Sequence, residues 1–430
     1  MNKAGCGLEK NIRNEFLYYF ILHSPFRIFA SKILVMTSQK VYLFAPENDL
    51  ALAANKRYYT PPPAARKIAA DLSLLPLWYA DDNSFVLSQQ AIPSDLQRVI
   101  ENLGICSQAV SSLPPGEWDC YPWGWSTYIC QQLEKAGIEK HLLPDNQQIA
   151  EIRRLSGRAT TRDIWQHFAS ILPNFPLPPA PEILYDAAAI KHFIKTHHAT
   201  LLKAPWSSSG RGIIRTNGTY NFSIARQAEG ILRKQGYIMG EILFDKIADL
   251  AFEFHSDGFQ TQFTGYSLFN TDLHGCYTYN ILASDTAIER HLSHLIPIDT
   301  LHNVRDTLRL ITSQLIAPHY KGYFGIDSIL YRNNTDICLH PCIELNLRMN
   351  MGIVAHHINR YYVAEGSSGS YHVVYEKSPL RHRERQQALQ KKYPMIIKDK
   401  RIIAGFIPLT PLYDDTSYQA YIIIEEKNFL

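Results

Sequence analysis

The chain has 430 residues, of which 46% are hydrophobic and 19% charged. This composition excludes long disordered regions and is sufficient for roughly two to four packed domains. The net charge of +3 is spread along the chain, and we interpret the one dense basic run, Arg381–Lys392, as a solvated helix face, so no nucleic-acid partner is expected. The seven cysteines include no CxxC pair, which indicates a reducing, cytoplasmic location without disulfides or structural zinc.

The first 35 residues are set apart from the rest. Phe16–Leu22 is apolar, but His23 and Arg27 interrupt the run well short of a membrane span. We therefore expect no transmembrane helix and treat residues 1–35 as an N-terminal extension that is not part of the functional protein. Met36 is the predicted functional start, and a weak signal peptide is the alternative.

Residues 36–150 have the pattern of a small α/β domain. An apolar strand is followed by a turn and a helix start, and further strands and a helix come after it. The predicted elements are strand Val41–Phe44, turn Ala45–Asp49, helix start Leu50–Asn55, strands Leu77–Tyr79 and Ser84–Leu87, and helix Pro93–Asn102.

Residues 151–240 and 241–430 are predicted to form two further units that mix helices with strands. The first is predicted to contain helix Ser156–Phe168, strand Ala199–Ala204, loop Ser207–Gly212, strand Ile213–Thr216, helix Asn221–Gln235 and strand Tyr237–Phe244. The second is predicted to contain strand Ala248–Phe254, helix Asn303–Tyr320, a hairpin of Gly325–Tyr331 with Ile337–Leu345, and closing strands in Ile402–Glu426.

The strongest chemical signal is the alternation of Glu344, Asn346 and Arg348 with apolar residues. On a strand this period places all three side chains on one face. Carboxylate and amide oxygens suit Mg²⁺, and an arginine offers a fixed fork to a phosphoryl group. Asp327, on the other strand of the hairpin, would add a second carboxylate. A solvated surface strand produces the same alternation, so this motif alone leaves both interpretations open.

A second signal lies upstream, where Lys203 ends a strand and Ser207–Gly212 forms a glycine- and serine-rich loop. Such a loop can direct backbone N–H groups at phosphates. A plain linker loop is the alternative for this segment considered alone. Its combination with the hairpin motif favours a nucleotide site.

These motifs, in this order, resemble those of the ATP-grasp superfamily, with the resemblance running from about Ser156 to about Ile358. The resemblance implies a small Rossmann-like pre-ATP-grasp α/β domain followed by a two-lobed α+β fold that binds ATP and Mg²⁺, or Mn²⁺, between its lobes. It implies a role in catalysis for Lys203 and Arg348, and magnesium binding by Asp327, Glu344 and Asn346. The nucleotide contacts that it implies are Arg158, Lys203, Ser207, Ser208, Ser209, Gly210, Arg211, Gly212 and, in the hinge, Glu241.

The resemblance has departures. Arg158 stands where the family often has a second phosphate-binding lysine; arginine keeps the charge but changes the geometry.

The leading α/β domain would help to bind the second substrate, and Glu47, Asn48 and Asp49 follow its first strand, where a ligand sits in such a sheet. Ordinary turn formation is the alternative for these three residues.

The implied activity is that of a carboxylate-amine ligase, in which a small-molecule or peptide carboxylate becomes an acylphosphate, an amine displaces phosphate, and ADP is released. The catalytic work would be positioning and charge neutralisation. A kinase or phosphotransferase on the same scaffold and a non-catalytic nucleotide-binding module are the alternatives.

The pairs His197–His198 and His356–His357 do not have the spacing of a metal clamp. The oligomeric state is left open, and no membrane partner is expected.

Overall fold

The computed structural model describes residues 38–207, 212–272 and 277–425. The predicted start at Met36 lies outside these ranges. Within them, every helix is too short or too polar to cross a lipid bilayer. The described chain contains three sheets, one parallel and two antiparallel.

The parallel sheet comes first in the chain and has helices between its strands. Its elements are β1 (Gln39–Leu43), α1 (Asn48–Ala54), α2 (Pro63–Asp71), β2 (Phe85–Leu87), α3 (Ser94–Leu103), β3 (Gln108–Val110), β4 (Trp118–Pro122), α4 (Thr127–Lys135) and α5 (Asn146–Leu155). The strand order is β3-β2-β1-β4, and every neighbouring pair is parallel. This confirms the predicted α/β character, because parallel neighbours need crossover connections.

One predicted strand in this region is wrong. Leu75–Trp78 forms a short 3₁₀ helix, whereas a strand was predicted at Leu77–Tyr79. All four residues are buried, so the run is apolar on every side and lacks the alternation that would identify a strand. Pro76 also lacks the N–H group that a central strand would donate.

A small antiparallel sheet follows. Its elements are α6 (Ala159–Ile171), β5 (Glu182–Leu184), α7 (Ala187–His197), β6 (Ala199–Lys203), β7 (Ile213–Asn217), α8 (Phe222–Gln235) and β8 (Ile238–Ile242). The order is β5-β8-β6-β7. The sheet has its own hydrophobic core, in which Phe193 of α7 and Ile224 of α8 pack against Leu202 and Ile238 of the sheet.

The third sheet has nine antiparallel strands in the order β13-β12-β9-β10-β11-β14-β17-β16-β15. The predicted β-hairpin and the predicted C-terminal closing strands are confirmed. The helix that was predicted at Asn303–Tyr320 is found five residues earlier, at Ile298–Leu315. The elements are β9 (Asp245–Ser256), β10 (Thr261–Thr271), β11 (Tyr277–Leu282), α9 (Asp285–Leu292), α10 (Ile298–Leu315), β12 (Gly322–Asn333), β13 (Asp336–Asn346), α11 (Met351–Tyr362), β14 (Ser368–Tyr375), α12 (Pro379–Lys392), β15 (Ile396–Lys398), β16 (Arg401–Pro408) and β17 (Tyr418–Glu425).

The parallel sheet and the nine-stranded sheet share one hydrophobic core. Trp78 is fully buried in it, and its indole N–H donates to the carbonyl oxygen of Leu409 at 2.7 Å. The small sheet, which has a separate core, meets this body near the β12–β13 hairpin. The division into domains at residues 150 and 240 stays a prediction.

Candidate functional site

The β12–β13 hairpin brings the predicted metal ligands together. Asp327 lies directly opposite Glu344 in the antiparallel register, and Gly325 lies opposite Asn346. Cross-strand partners share a face of the sheet, so Asp327, Glu344 and Asn346 form one polar cluster. Their assignment as metal ligands stays a prediction.

The electrostatics of this cluster centre on Asp327. Burial, followed by the negative charge of Glu344, raises the pKa of Asp327 to about 7. Hydrogen bonding from Asn346 and the charge of Arg348 act in the opposite direction. Two carboxylates directly opposite each other repel, and a cation placed between them would relieve that repulsion.

Arg348 follows the hairpin and reaches the loop after β1. Its Nε donates to both carboxylate oxygens of Asp49, at 3.0 and 2.8 Å, and its Nη2 lies 2.7 Å from Oδ2. Nη2 also donates to Asn346 Oδ1 at 3.1 Å. The guanidinium is thus fixed between the predicted metal cluster and the parallel sheet.

Across the hairpin, the small sheet contributes Lys203 and Glu241. They lie on the neighbouring strands β6 and β8, and Lys203 Nζ donates to Glu241 Oε2 at 2.5 Å. The same ammonium lies 3.5 Å from the carbonyl oxygen of Ile343 on β13. Glu241 was predicted as a nucleotide contact in the hinge, and in the structure it is the ion-pair partner of Lys203, the predicted phosphate-binding lysine.

Arg158 connects the small sheet to the β12–β13 hairpin. Its Nη2 donates to Glu344 Oε1 at 2.8 Å and to Ser207 Oγ at 3.1 Å, and its Nε donates to the carbonyl oxygen of Ala204 at 3.0 Å. The guanidinium is buried, and Nη1 has no hydrogen-bond partner. Arg158 therefore connects the end of β6 to the predicted metal cluster and retains an unused donor.

The predicted phosphate loop is described only at its two ends. Gly212 has a φ of +76°, which favours glycine, and its carbonyl oxygen accepts from Ala204 N at 2.8 Å. At the other end, the Ser207 hydroxyl oxygen accepts a hydrogen bond from Arg158 Nη2. Ser208, Ser209, Gly210 and Arg211 lie outside the described residues.

The sequence prediction missed Glu253. This residue lies on β9 opposite Gly325, is 1% exposed, and accepts a hydrogen bond from Asn350 Nδ2 at 2.8 Å. Burial raises the pKa of Glu253 to about 8. A charged residue inside the apolar stretch Ala248–Phe254 was the available signal, because a buried acid in an alternating strand needs a polar neighbour.

The loop after β1 contains further unpaired polar groups. Both side-chain polar atoms of Asn48 and Oε2 of Glu47 are buried without a hydrogen-bond partner. Burial raises the pKa of Glu47 to about 7. Glu47 lines a cavity of ≈ 400 Å³ at the carboxyl ends of the parallel strands, together with Ser88 and Ser111, which follow β2 and β3.

The second histidine pair, His356 and His357, lies on α11. His356 Nε2 lies 3.6 Å from Asp285, and its neighbour His357 contacts Tyr323 edge-on. Among residues 38–207, 212–272 and 277–425, no three His, Cys, Asp or Glu side chains are placed together to hold a metal. The predicted magnesium set has two carboxylates and an amide oxygen.

Comparison with known proteins gave structural matches only. No protein-family model matches the sequence, and no curated protein matches it. Biotin carboxylase from Campylobacter jejuni is similar, with 14% identity, coverage of 92% of this chain and 89% of that chain, and a TM-score of 0.48. The biotin carboxylase domain of Hydrogenobacter thermophilus 2-oxoglutarate carboxylase has 13% identity, coverage of 90% and 86%, and a TM-score of 0.49. N5-carboxyaminoimidazole synthetase from Staphylococcus aureus has 11% identity, coverage of 90% and 94%, and a TM-score of 0.47.

Proposed function

We propose that this chain binds Mg-ATP between its small antiparallel sheet and the β12–β13 hairpin, and uses it to activate a carboxylate as an acylphosphate for attack by an amine. One observation carries the proposal. Arg158, anchored to the end of β6, pairs with Glu344 beside Asp327, so cations for phosphate and oxygen ligands for magnesium occur in one place.

Unpaired polar atoms support a nucleotide here. Nη1 of Arg158 and Oε1 of Glu241 are buried without a partner, and such atoms cost about 1–3 kcal/mol each unless a ligand pairs with them. Arg158 needs an acceptor, such as a phosphate oxygen. Glu241 needs a donor, such as a ribose hydroxyl or an adenine amino group. ATP supplies both.

The donor set also fits Mg²⁺. Asp327, Glu344 and Asn346 would contribute two carboxylates and an amide oxygen, which are hard oxygen ligands of the kind that magnesium takes beside phosphate oxygens and water. When bound, the metal would neutralise phosphate charge and orient the transferred group. Its charge would also lower the pKa of Asp327, which burial and Glu344 raise.

The remaining catalytic work falls to fixed cations of the chain. Lys203 and Arg158 would hold phosphate oxygens from one side, and Arg348 would face the transferred phosphoryl group from the other. Asp49 and Asn346 hold the Arg348 guanidinium in one orientation, so no reorganisation is required during the reaction. A phosphoryl transfer between bound substrates needs no side-chain nucleophile.

The second substrate is proposed to enter from the parallel sheet. Ligands of such sheets bind outside the carboxyl ends of the strands, where the ≈ 400 Å³ cavity and Glu47 lie. The unpaired amide of Asn48 follows Glu47, and Asp49 contacts Arg348. This loop would therefore align a small-molecule or peptide carboxylate, or the amine, with the phosphoryl group.

Calorimetric titration with ATP, with and without Mg²⁺, tests the nucleotide site. Binding should require magnesium for full affinity and weaken at least roughly tenfold in Lys203→Ala and Glu344→Ala. Lys234→Ala, an exposed lysine on α8 of the same small lobe, is the matched control and should bind normally. A folded wild-type protein that fails to bind ATP would contradict the proposal.

Product analysis then tests the reaction class. A ligase releases phosphate only when both a carboxylate and an amine are present and forms a new amide. A kinase yields a stable phosphorylated product without free phosphate. ATP binding without either product, across a panel of carboxylates and amines, would instead favour the non-catalytic module.

A further inference from the structure

A second and larger cavity, of ≈ 620 Å³, has a lining that differs from the residues of the proposed nucleotide site. It covers the face of the parallel sheet formed by Tyr42 and Tyr121, and Tyr323 at the start of β12 closes it from the nine-stranded sheet. None of the predicted nucleotide, metal or catalytic residues lines it. A ligand in this cavity would therefore be bound by residues outside the proposed nucleotide site.

The walls of this cavity are aromatic. Tyr42 and Tyr121 stack with ring centroids 5.1 Å apart and planes 17° apart. Tyr323 contacts His255 at 4.6 Å and His357 at 5.1 Å between ring centroids, both edge-on. Flat, polarisable walls of this kind favour a planar ligand that can stack or pack edge-on.

The polar groups in the walls include several with no partner. The hydroxyl of Tyr79 is buried and has no hydrogen-bond partner, although the residue lines the cavity. His255 and His357 also line the cavity, and neither imidazole takes part in a hydrogen bond or ion pair within the described chain. A phenol and a neutral imidazole each offer both a donor and an acceptor, so the cavity presents unused groups of both kinds.

The charges of the walls balance. Lys40 donates to Asp81 at 2.5 Å, and Tyr121 donates to Asp119 at 2.6 Å. Lys321 is a second lysine in the same lining. Burial lowers the pKa of His255 and lowers the pKa of His357 to about 4, which favours the neutral imidazole in both residues. With two lysines and two aspartates, the lining does not require a charged ligand.

We infer that this cavity is a binding site for an uncharged planar heterocycle that carries both hydrogen-bond donors and acceptors, of the nucleobase type. The ring would pack against Tyr121 and Tyr323, and its edge would pair with Tyr79 and His357. The inference does not depend on the proposed ligase activity, because it rests on residues that the nucleotide site does not use.

Titration of the full chain with adenine, uracil and benzimidazole, followed by saturation-transfer NMR and calorimetry, tests this inference. At least one probe should bind saturably, and Tyr79→Phe, which removes only the unpaired hydroxyl, should weaken that binding by roughly 3- to 10-fold. His357→Leu should weaken it similarly. Tyr58→Phe, at an exposed tyrosine, is the matched control and should bind as the wild type does.

Glu241→Ala separates this cavity from the proposed nucleotide site. A probe in the cavity should bind this variant normally, whereas adenine bound at the nucleotide site would lose the acceptor proposed for its amino group. The inference is overturned if no probe binds the wild type, or if binding responds to Glu241→Ala and not to Tyr79→Phe. Circular dichroism of each variant verifies that it is folded.

Discussion

Arg348 and Asp49 form an ion pair that joins the nine-stranded sheet to the parallel sheet, with Nη2 and Oδ2 2.7 Å apart. Both side chains are 16% exposed, so water screens the pair only in part. Each charged group compensates the desolvation of the other. The pair therefore holds Arg348, which is proposed to bind the phosphoryl group, beside the loop after β1. That loop is proposed to bind the second substrate.

Asp49→Asn should destabilise the fold by about 2 kcal/mol, because the Arg348 guanidinium would remain buried without its full counter-charge. Urea denaturation monitored by fluorescence measures the free energy of unfolding. Asp245→Asn is the control, since Asp245 belongs to a pair with Arg332 whose side chains are 72% and 53% exposed. That control should change stability by less than about 0.5 kcal/mol. Equal effects of the two substitutions would contradict the prediction.

The pKa of Asp327, raised to about 7, predicts a dependence of stability on pH. In the unfolded chain the carboxyl ionises near its ordinary value, so between about pH 4 and pH 7 the folded state holds a proton that the unfolded state has lost. Stability should therefore fall as pH rises through this range.

Asp327→Asn should reduce that fall and should be more stable than the wild type at pH 8, by about 1–2 kcal/mol. Urea denaturation at pH 5 and pH 8, without ATP or magnesium, measures both effects. Asp336→Asn, at the exposed turn of the same hairpin, should leave the pH dependence unchanged. An Asp327→Asn variant with the pH dependence of the wild type would refute the assignment.

The hairpin and its polar face could be predicted from the sequence, whereas the contacts that complete the site could not. Asp327 and Glu344 are opposite each other because strand alternation and a short turn determine their register locally. Arg158 and Glu344 are 186 residues apart, and Asp49 and Arg348 are 299 apart. Such contacts depend on how sheets pack in three dimensions, and no local periodicity encodes that packing.

Gly325→Ala should destabilise the protein, because its Cβ would lie 2.3 Å from both Glu253 Oε2 and Asn350 Nδ2. The buried Glu253 cannot move easily, so we expect a cost of about 2–3 kcal/mol. Gly230→Ala is the matched control: this helical glycine has no atom within 4 Å of a Cβ. It should be neutral or stabilise the protein by up to about 1 kcal/mol. Thermal unfolding of both variants measures the contrast, and a tolerated Gly325→Ala would contradict this packing.

A double-mutant cycle tests the bridge between Arg158 and Glu344. Glu344→Gln leaves the buried Arg158 guanidinium without its charged partner, and Arg158→Gln leaves the Glu344 carboxylate, which is 29% exposed, without its partner. Each should therefore destabilise the fold. The double variant should lose less than the sum of the two losses, with a coupling energy of about 1–3 kcal/mol. The cycle Arg154→Gln with Glu151→Gln is the control, because that i,i+3 pair lies on the surface of α5, with Arg154 56% exposed, and should couple by less than about 0.5 kcal/mol.

The same variants also show whether the Arg158–Glu344 contact is only structural or belongs to a phosphate-binding site. Because Nη1 of Arg158 has no partner, added inorganic triphosphate should stabilise the wild type and Glu344→Gln, and should stabilise Arg158→Gln less, since only Lys203 would then hold the phosphates on that side. Thermal unfolding with and without triphosphate measures this. Strictly additive losses in the cycle would show that the two side chains do not interact in solution. Equal stabilisation of Arg158→Gln by triphosphate would remove Arg158 from the phosphate site while leaving its contact with Glu344 intact.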